Sequence, residues 1–275
     1  MSSGALLGAS RVRALLDEHG VRPKRSLGQN FVVDPNTIRK TLSAAAVSSG
    51  ERVLEVGPGV GSLTLGLAAA ASSVVAVERD ARLIPILQQI LAEVDNVEVV
   101  HNDALKVDLE SYRATALVAN LPYNIAATLV LEVLEKAPSI RTLTVMTQRE
   151  VGERLAAAPG TKSYGATSVL VGFFATARVA TTVSRSAFWP VPNVDSVIVR
   201  AQRREPFPDV DVSVLFSVVK AAFGQRRKTL RNALSAAVGS VEGAEDALSR
   251  AGIDPATRAG SLSLDGYVSL ARRLS

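Results

Sequence analysis

Between residues 51 and 148 the chain alternates short apolar runs with longer stretches whose apolar residues recur every three or four positions. The short runs Arg52–Val56, Ser73–Glu78, Val97–His101, Ala116–Ala119 and Thr142–Met146 read as strands. The stretches Ser62–Ala71, Ala81–Val94 and Ile125–Lys136 read as helices between them. Strands this apolar, each followed by a helix, predict a parallel sheet covered on both faces. Upstream, Ser10–Gly20 has the spacing of a short helix with Ser10 as N-cap and Gly20 just past its end. Asp34-Pro35 then opens a helix through about Ala46, because proline in the first turn gives up no needed N–H.

After residue 160 the rhythm changes. Tyr164–Thr182 and Val194–Arg203 are β-rich and joined through Phe188-Trp-Pro-Val-Pro-Asn193, which predicts an antiparallel hairpin at the sheet edge. Arg203–Asp209 reads as a linker, and Val212–Phe223, Arg227–Val238, Gly243–Gly252 and Ser263–Leu274 have helical spacing. The expected fold is α/β, a doubly wound Rossmann-like sheet with an antiparallel edge hairpin, followed by a small all-α C-terminal domain. The segments are residues 1–34 (helix and basic loop), 35–205 (the α/β domain) and 206–275 (the helical domain).

Composition then removes whole classes of chemistry. The 275 residues include no Cys and only two His, His19 and His101, far apart in sequence. Thiolate metal sites, cysteine nucleophiles and disulfides are thereby excluded, and zinc hydrolysis or a His-based triad is disfavoured. No metal ligand set is visible. With 31 Lys+Arg against 26 Asp+Glu, the net charge of +5 tilts the prior toward an anionic partner, nucleic acid first. Ala5-Leu6-Leu7-Gly8 is too short for a secretory core, and glycines interrupt the uncharged run Val56–Val77, so neither export nor a membrane span is expected. The expected location is the cytoplasm.

The candidate chemistry lies at strand ends. Leu54-Glu55-Val56-Gly57-Pro58-Gly59-Val60-Gly61 is a strand running into a glycine-rich turn, which lets a ligand approach the backbone and the N–H groups of a helix N-terminus. Its G-x-G-x-G spacing differs from the dinucleotide fingerprint, and no P-loop is present. Glu78 ends the next strand, where a carboxylate can accept from two ribose hydroxyls. Asp103 ends the third, placed to accept from an adenine amino group. Each has a plainer use: Glu55 and Glu78 as ion-pair partners, Asp103 as a turn cap.

The fourth strand ends in Asn120-Leu-Pro-Tyr123. An exocyclic base amine is a poor nucleophile because its lone pair is delocalised into the ring. Asn120 Oδ1 and the Leu121 carbonyl could accept both amine hydrogens and favour a pyramidal nitrogen. Pro122 would fix the turn and Tyr123 would offer a stacking face. No strong general base is required, which suits a chain so poor in His.

This motif resembles the Asn/Asp/Ser-x-Pro-aromatic signature of S-adenosylmethionine-dependent amino-methyltransferases, and Glu55–Gly61 is similar to their cofactor loop. Four further segments narrow the likeness: Lys24-Arg-Ser-Leu-Gly-Gln-Asn-Phe31, Met146-Thr-Gln-Arg-Glu-Val-Gly-Glu-Arg154, Phe188-Trp-Pro-Val-Pro-Asn-Val-Asp-Ser196 and Phe223-Gly-Gln-Arg-Arg-Lys-Thr-Leu-Arg231. Together they resemble the rRNA adenine N6-dimethyltransferases of the small-subunit KsgA/RsmA type, from about residue 22 to the C-terminus. The resemblance implies a class I methyltransferase fold. It also implies dimethylation of N6 on two adjacent adenosines near the 3′ end of 16S rRNA, within the 30S subunit or its precursor, by a monomer. It implies that Asn30 and the backbone of Val32 close over the methionine part of S-adenosyl-L-methionine, that Gly57 and Gly59 line it, and that Glu78 and Asp103 hold ribose and adenine. Asn120 would face both cofactor and amine, and Phe188 would be a second stacking wall, a role for which core packing and Trp189 compete.

For RNA, two basic clusters stand out: Arg22, Lys24 and Arg25 beside the cofactor loop, and Arg226, Arg227, Lys228 and Arg231 with Lys220. Such groups contact phosphates and set position without reading sequence. Either could instead be a solvated face. The macrolide-resistance rRNA adenine methyltransferases share the catalytic motif, although the Phe223–Arg231 segment favours the small-subunit type. DNA adenine methylation, a binding-only assembly factor and a nicotinamide oxidoreductase are the remaining alternatives.

Overall fold

The computed structural model describes residues 6–24, 27–122, 124–205 and 207–275. They form two compact units, residues 1–152 with 177–203, and residues 153–176 with 204–275. The strands in chain order are β1 (Phe31–Val32), β2 (Arg52–Val56), β3 (Ser73–Glu78), β4 (Val97–His101), β5 (Ala116–Asn120), β6 (Thr142–Gln148), β7 (Ala175–Val183), β8 (Phe188–Trp189) and β9 (Ser196–Arg203).

Seven strands make one sheet in the order β4-β3-β2-β5-β6-β9-β7. The strands β2 to β6 pair in parallel, and β9 runs antiparallel to β6. From β2 the chain winds outward through β3 and β4, then returns to β5 on the other side. That reversal opens a crevice at the carboxyl ends of β2 and β5. β2, β3 and β5 are buried along nearly their whole length, whereas the edge strand β4 is half exposed. The helices Pro35–Ala45 and Ser62–Ala70 cover one face, with Ile38, Leu63 and Leu67 packed on Val53, Val74 and Val118. Asp34 starts the first of them by accepting from the N–H groups of Asn36 (3.0 Å) and Thr37 (3.1 Å).

A second, two-stranded sheet was not anticipated. β1 pairs antiparallel with β8, Phe31 opposite Trp189 and Val32 opposite Phe188. It joins the segment before the first long strand to the loop between β7 and β9.

The second unit corrects the sequence reading in three places. Residues 166–174 are a helix, although Tyr164–Thr182 reads as β-rich. Burial of Val169, Leu170, Val171 and Phe173 outweighs their strand propensity, and Ser168 Oγ accepts from Gly165 N (3.0 Å) at the helix start. This helix packs with the helical unit, Phe173 stacking on Phe207 at 5.5 Å, so residues 153–176 belong there although the sequence reading leaves them in 35–205. The helix expected from Arg227 begins at Leu230. Thr229 is extended and bridges Arg258, and Leu230 N donates to Thr257 O (2.7 Å), which holds residues 225–229 in turns. The core of this unit is aromatic: Phe223 lies 5.9 Å from both Tyr164 and Tyr267, whose hydroxyls donate to Leu262 O and Ala259 O. Among the described residues no helix is long and apolar enough to cross a membrane.

Candidate active site

The floor of the site is built by strand ends. After β2 the chain turns back so that Gly57 N donates to Val77 O (2.9 Å). Gly59 follows at φ +63°, and a Cβ there would lie 3.0 Å from the Phe31 ring, so glycine is demanded by both backbone and space. Glu78, buried at the end of β3, accepts from Gly59 N (3.1 Å) and Asp80 N (2.7 Å). Burial raises its carboxyl pKa above the ordinary value, against the lowering effect of those N–H donors. One strand further, Asp103 accepts from Leu105 N (3.1 Å) and meets Arg79 Nε at 3.4 Å. The two carboxylates follow neighbouring strands and line the same cleft.

The roof is the segment Leu27–Val32. Gly28, at φ +65°, has Pro122 Cβ 3.1 Å from where its own Cβ would be, so roof and catalytic turn meet closely. Asn120 Nδ2 donates to Asn30 O (3.1 Å), which turns the amide so that Oδ1 is its acceptor face. Leu121 N donates to Met146 O (2.9 Å) and Ile125 N to Pro122 O (3.1 Å), fixing the Asn120–Pro122 turn against β6. Ser62 Oγ donates to Val32 O (3.1 Å).

Deeper in the cleft lies Glu55, only 1% exposed. Its Oε2 and the buried Oγ1 of Thr64 have no hydrogen-bond partner. Burial, with the nearby Glu78 charge, pushes the Glu55 carboxyl up to about 8, so it is a neutral acid at pH 7.

Asn30, Val32, Gly57, Gly59, Glu78, Asp103, Asn120, Leu121 and Pro122 all line this one cleft, about 1080 Å³ of empty space counted out to solvent. That space and the acceptors at its edges fit an elongated ligand joining adenosine to an amino acid. Phe188 is the exception. It is 1% exposed, outside the cleft lining, and packed with Val32, Ile38 and Ile198. Successive residues of β8 face opposite ways, so Trp189 packs instead toward Phe31 and Leu15, with the Arg13 guanidinium 5.8 Å above its ring. Tyr123 and Arg25 lie outside the described residues. Gln29, Phe31, Asp80 and Arg82, which the sequence reading did not single out, hold the roof and floor together. Gln29 sits inside a quoted motif, and Asp80 follows Glu78 closely; position was the only available signal.

Arg22 and Lys24 are exposed on the segment that leads into the roof. In the helical unit Arg227 and Lys228 are exposed in the turns before Leu230, and Arg226 Nη2 donates to Lys162 O (3.1 Å). Arg227 and Arg231 therefore do not share a helix face as expected. Arg231 instead pairs with Glu245 at 3.7 Å.

The sequence profile of the ribosomal RNA adenine dimethylase family matches residues 20–275. The chain is 48% identical over 280 residues to the ribosomal RNA small subunit methyltransferase A of Leifsonia xyli subsp. xyli (strain CTCB07), covering 99% of this chain and 100% of that one. Among solved structures, a dimethyladenosine transferase from Plasmodium falciparum aligns with a TM-score of 0.79 at 25% identity, over 87% of this chain and 95% of that chain. The 23S rRNA methyltransferase ErmE aligns with a TM-score of 0.68 at 28% identity, over 89% and 99%. The likeness spans both units, and the residues that gather in the cleft come from the motifs that first suggested it: the chain is a methyltransferase of the ribosomal RNA adenine dimethylase family.

Proposed function

We propose that the protein dimethylates N6 of two adjacent adenosines near the 3′ end of 16S rRNA, in the 30S subunit or its precursor, with S-adenosylmethionine as donor. The observation that carries this reading is the convergence of Asn30, Gly57, Glu78, Asp103 and Asn120 on one cleft. Bound there, S-adenosylmethionine supplies an electrophilic methyl group on a sulfonium. Glu78 accepts from the ribose hydroxyls while its other hydrogen bonds keep the glycine turn in place. Asp103 accepts from the adenine amino group, and the backbone at Gly57 and Gly59 permits close approach.

The Asn120 amide is oriented in advance by its bond to Asn30 O, so Oδ1 and the Leu121 carbonyl take the two N6 hydrogens of the target base. Fixed acceptors of this kind need no reorganisation during reaction. Tyr123 is assigned the stacking face. Phe188, being core, is assigned the support of Val32 beneath the roof. After transfer the nitrogen is an acidic ammonium and loses its proton to water, so no side-chain base is needed. Arg22, Lys24, Arg226, Arg227 and Lys228 contact phosphates, and RNA shape selects the site.

The 23S-directed relative gives a second reading. The small-subunit reading is preferred because the near-full-length relative carries that name. Labelled methyl transfer to unmethylated 30S subunits, with 50S subunits and duplex DNA in parallel, decides between them. Label confined to 30S as N6,N6-dimethyladenosine is the expected result. Label in 50S moves the assignment to the 23S type, and no transfer despite cofactor binding moves it to an assembly factor.

A further inference from the structure

The roof is held at its outer end by side chains to which the cofactor reading gives no part in holding nucleoside or methionine, although Gln29 and Asp80 also line the cleft. Gln29 Oε1 accepts from Lys24 N (2.8 Å). That bond fixes the orientation of the amide, whose Nε2 donates to Asp80 Oδ2 at 2.7 Å. Asp80 is held in turn by Arg82, through Nε at 2.8 Å and through Nη2. The Arg82 side chain also reaches Arg22 O (3.3 Å), at the start of the same segment. Asp80 is 8% exposed, and the Arg82 guanidinium holds its carboxyl down to about 2, so it is a charged acceptor throughout the working range. The residue after Gln29 is Asn30, whose carbonyl receives Asn120 Nδ2. An unbroken chain of contacts thus runs Arg82–Asp80–Gln29–Asn30–Asn120.

We propose that Gln29, Asp80 and Arg82 form a latch of positioning residues that holds the roof over the cofactor cleft and, through Asn30, sets the orientation of the Asn120 amide. The proposal rests on the cofactor reading above. A charge-assisted hydrogen bond to a nearly buried carboxylate is the strong kind, and losing it lets the roof open without disturbing the sheet. The ligand is then retained more weakly because its roof is open part of the time.

The test reverses the polarity of one bond. Gln29→Glu sets two carboxylates against each other. Adding Asp80→Asn removes that repulsion and offers an amide donor to the new carboxylate at position 29, which can still accept from Lys24 N, although Arg82 then keeps only Oδ1 as an acceptor because Nη2 now meets Oδ2. Binding of S-adenosylhomocysteine is measured by calorimetry and its release by stopped flow, with thermal unfolding as the fold control. Gln29→Glu is expected to raise Kd about tenfold, mainly through faster release, and to speed amide hydrogen exchange at residues 27–32 in the free protein. The double variant is expected to recover most of both. Gln29→Ala is the milder variant should Gln29→Glu fold poorly, and it should show the same changes at smaller size. Wild-type release and exchange in Gln29→Glu or in Gln29→Ala overturns the latch. Failure of the wild type to bind S-adenosylhomocysteine overturns the cofactor reading instead, and the exchange experiment then judges the latch alone.

Discussion

The two units carry their function in opposite ways. In the sheet unit the chemistry sits where strands end, and each acidic group there is buried or tied to a backbone N–H. Glu78 accepts from Gly59 and Asp80 and Asp103 from Leu105, while the Asn120 amide donates to the Asn30 carbonyl. In the helical unit aromatic rings pack inside, and the groups proposed to meet RNA are cations on exposed turns, such as Arg227 and Lys228. Topology places catalysis to fractions of an ångström; recognition of a polyanion tolerates looser placement because it acts through charge.

That contrast can be broken at several points. The largest effect is expected from Asn120→Ala, which should lower the rate of methyl transfer at saturating cofactor by about a thousandfold, with RNA affinity unchanged. A loss of RNA affinity in a filter-binding titration would mean that the two functions are not divided as described.

Next comes Glu55. Its folded-state pKa is raised from 4.5 to about 8, so the folded protein keeps a proton that the unfolded chain has lost. Stability from this group is therefore full below about pH 4.5 and declines as pH rises to about 8, by up to about 5 kcal/mol. Glu55→Gln should flatten this decline in denaturant unfolding measured across that range. A slope unchanged by the substitution counts against a buried neutral acid.

A smaller loss, about 2 kcal/mol, is expected from Arg203→Ala in the same assay. Its half-buried guanidinium donates to Ile140 O, Leu134 O, Val133 O and Ala137 O, capping the end of the helix Ala126–Lys136. Unchanged stability would show that these carbonyls find water equally well.

The smallest effect belongs to the helical unit. Arg227→Ala combined with Lys228→Ala should weaken rRNA binding about tenfold and reduce the salt dependence by about one to two phosphate contacts, leaving S-adenosylhomocysteine affinity as it was. Arg231→Ala should cost less, because Glu245 already shares its charge. Equal losses from both would sharpen attention on the helix face rather than the turns.

Legibility in the sequence followed the range of the interactions. β2 with its glycine turn, β3 ending in Glu78 and β4 with Asp103 just past its end could be read because apolar runs and turn residues act locally. The helix at 166–174 could not, since its β-branched and aromatic residues are helical only through burial against partners distant in sequence. The start at Leu230 depends on Thr257 and Arg258, again distant. Phe188 lies in the core instead of the cleft, and Trp189 does not replace it there, a placement hidden in the sequence because β8 is two residues long and no alternating pattern marks its faces. The Gln29–Asp80 contact has no local signature at all.

The pairing of β1 with β8 ties the order of synthesis to the state of the cleft. Asn30, Glu55–Gly61, Glu78, Asp103 and Asn120 are all made before residue 150, yet Phe31 and Val32 find their strand partner only at residues 188–189. A nascent chain that already holds every motif for the cofactor has the roof's contacts to Asp80, Ser62 and Asn120, but Phe31 and Val32 lack their strand partner until that later segment arrives. The backbone edge of the roof is thus paired only by one of the later parts of the sheet unit to be translated, after every cofactor motif has been made.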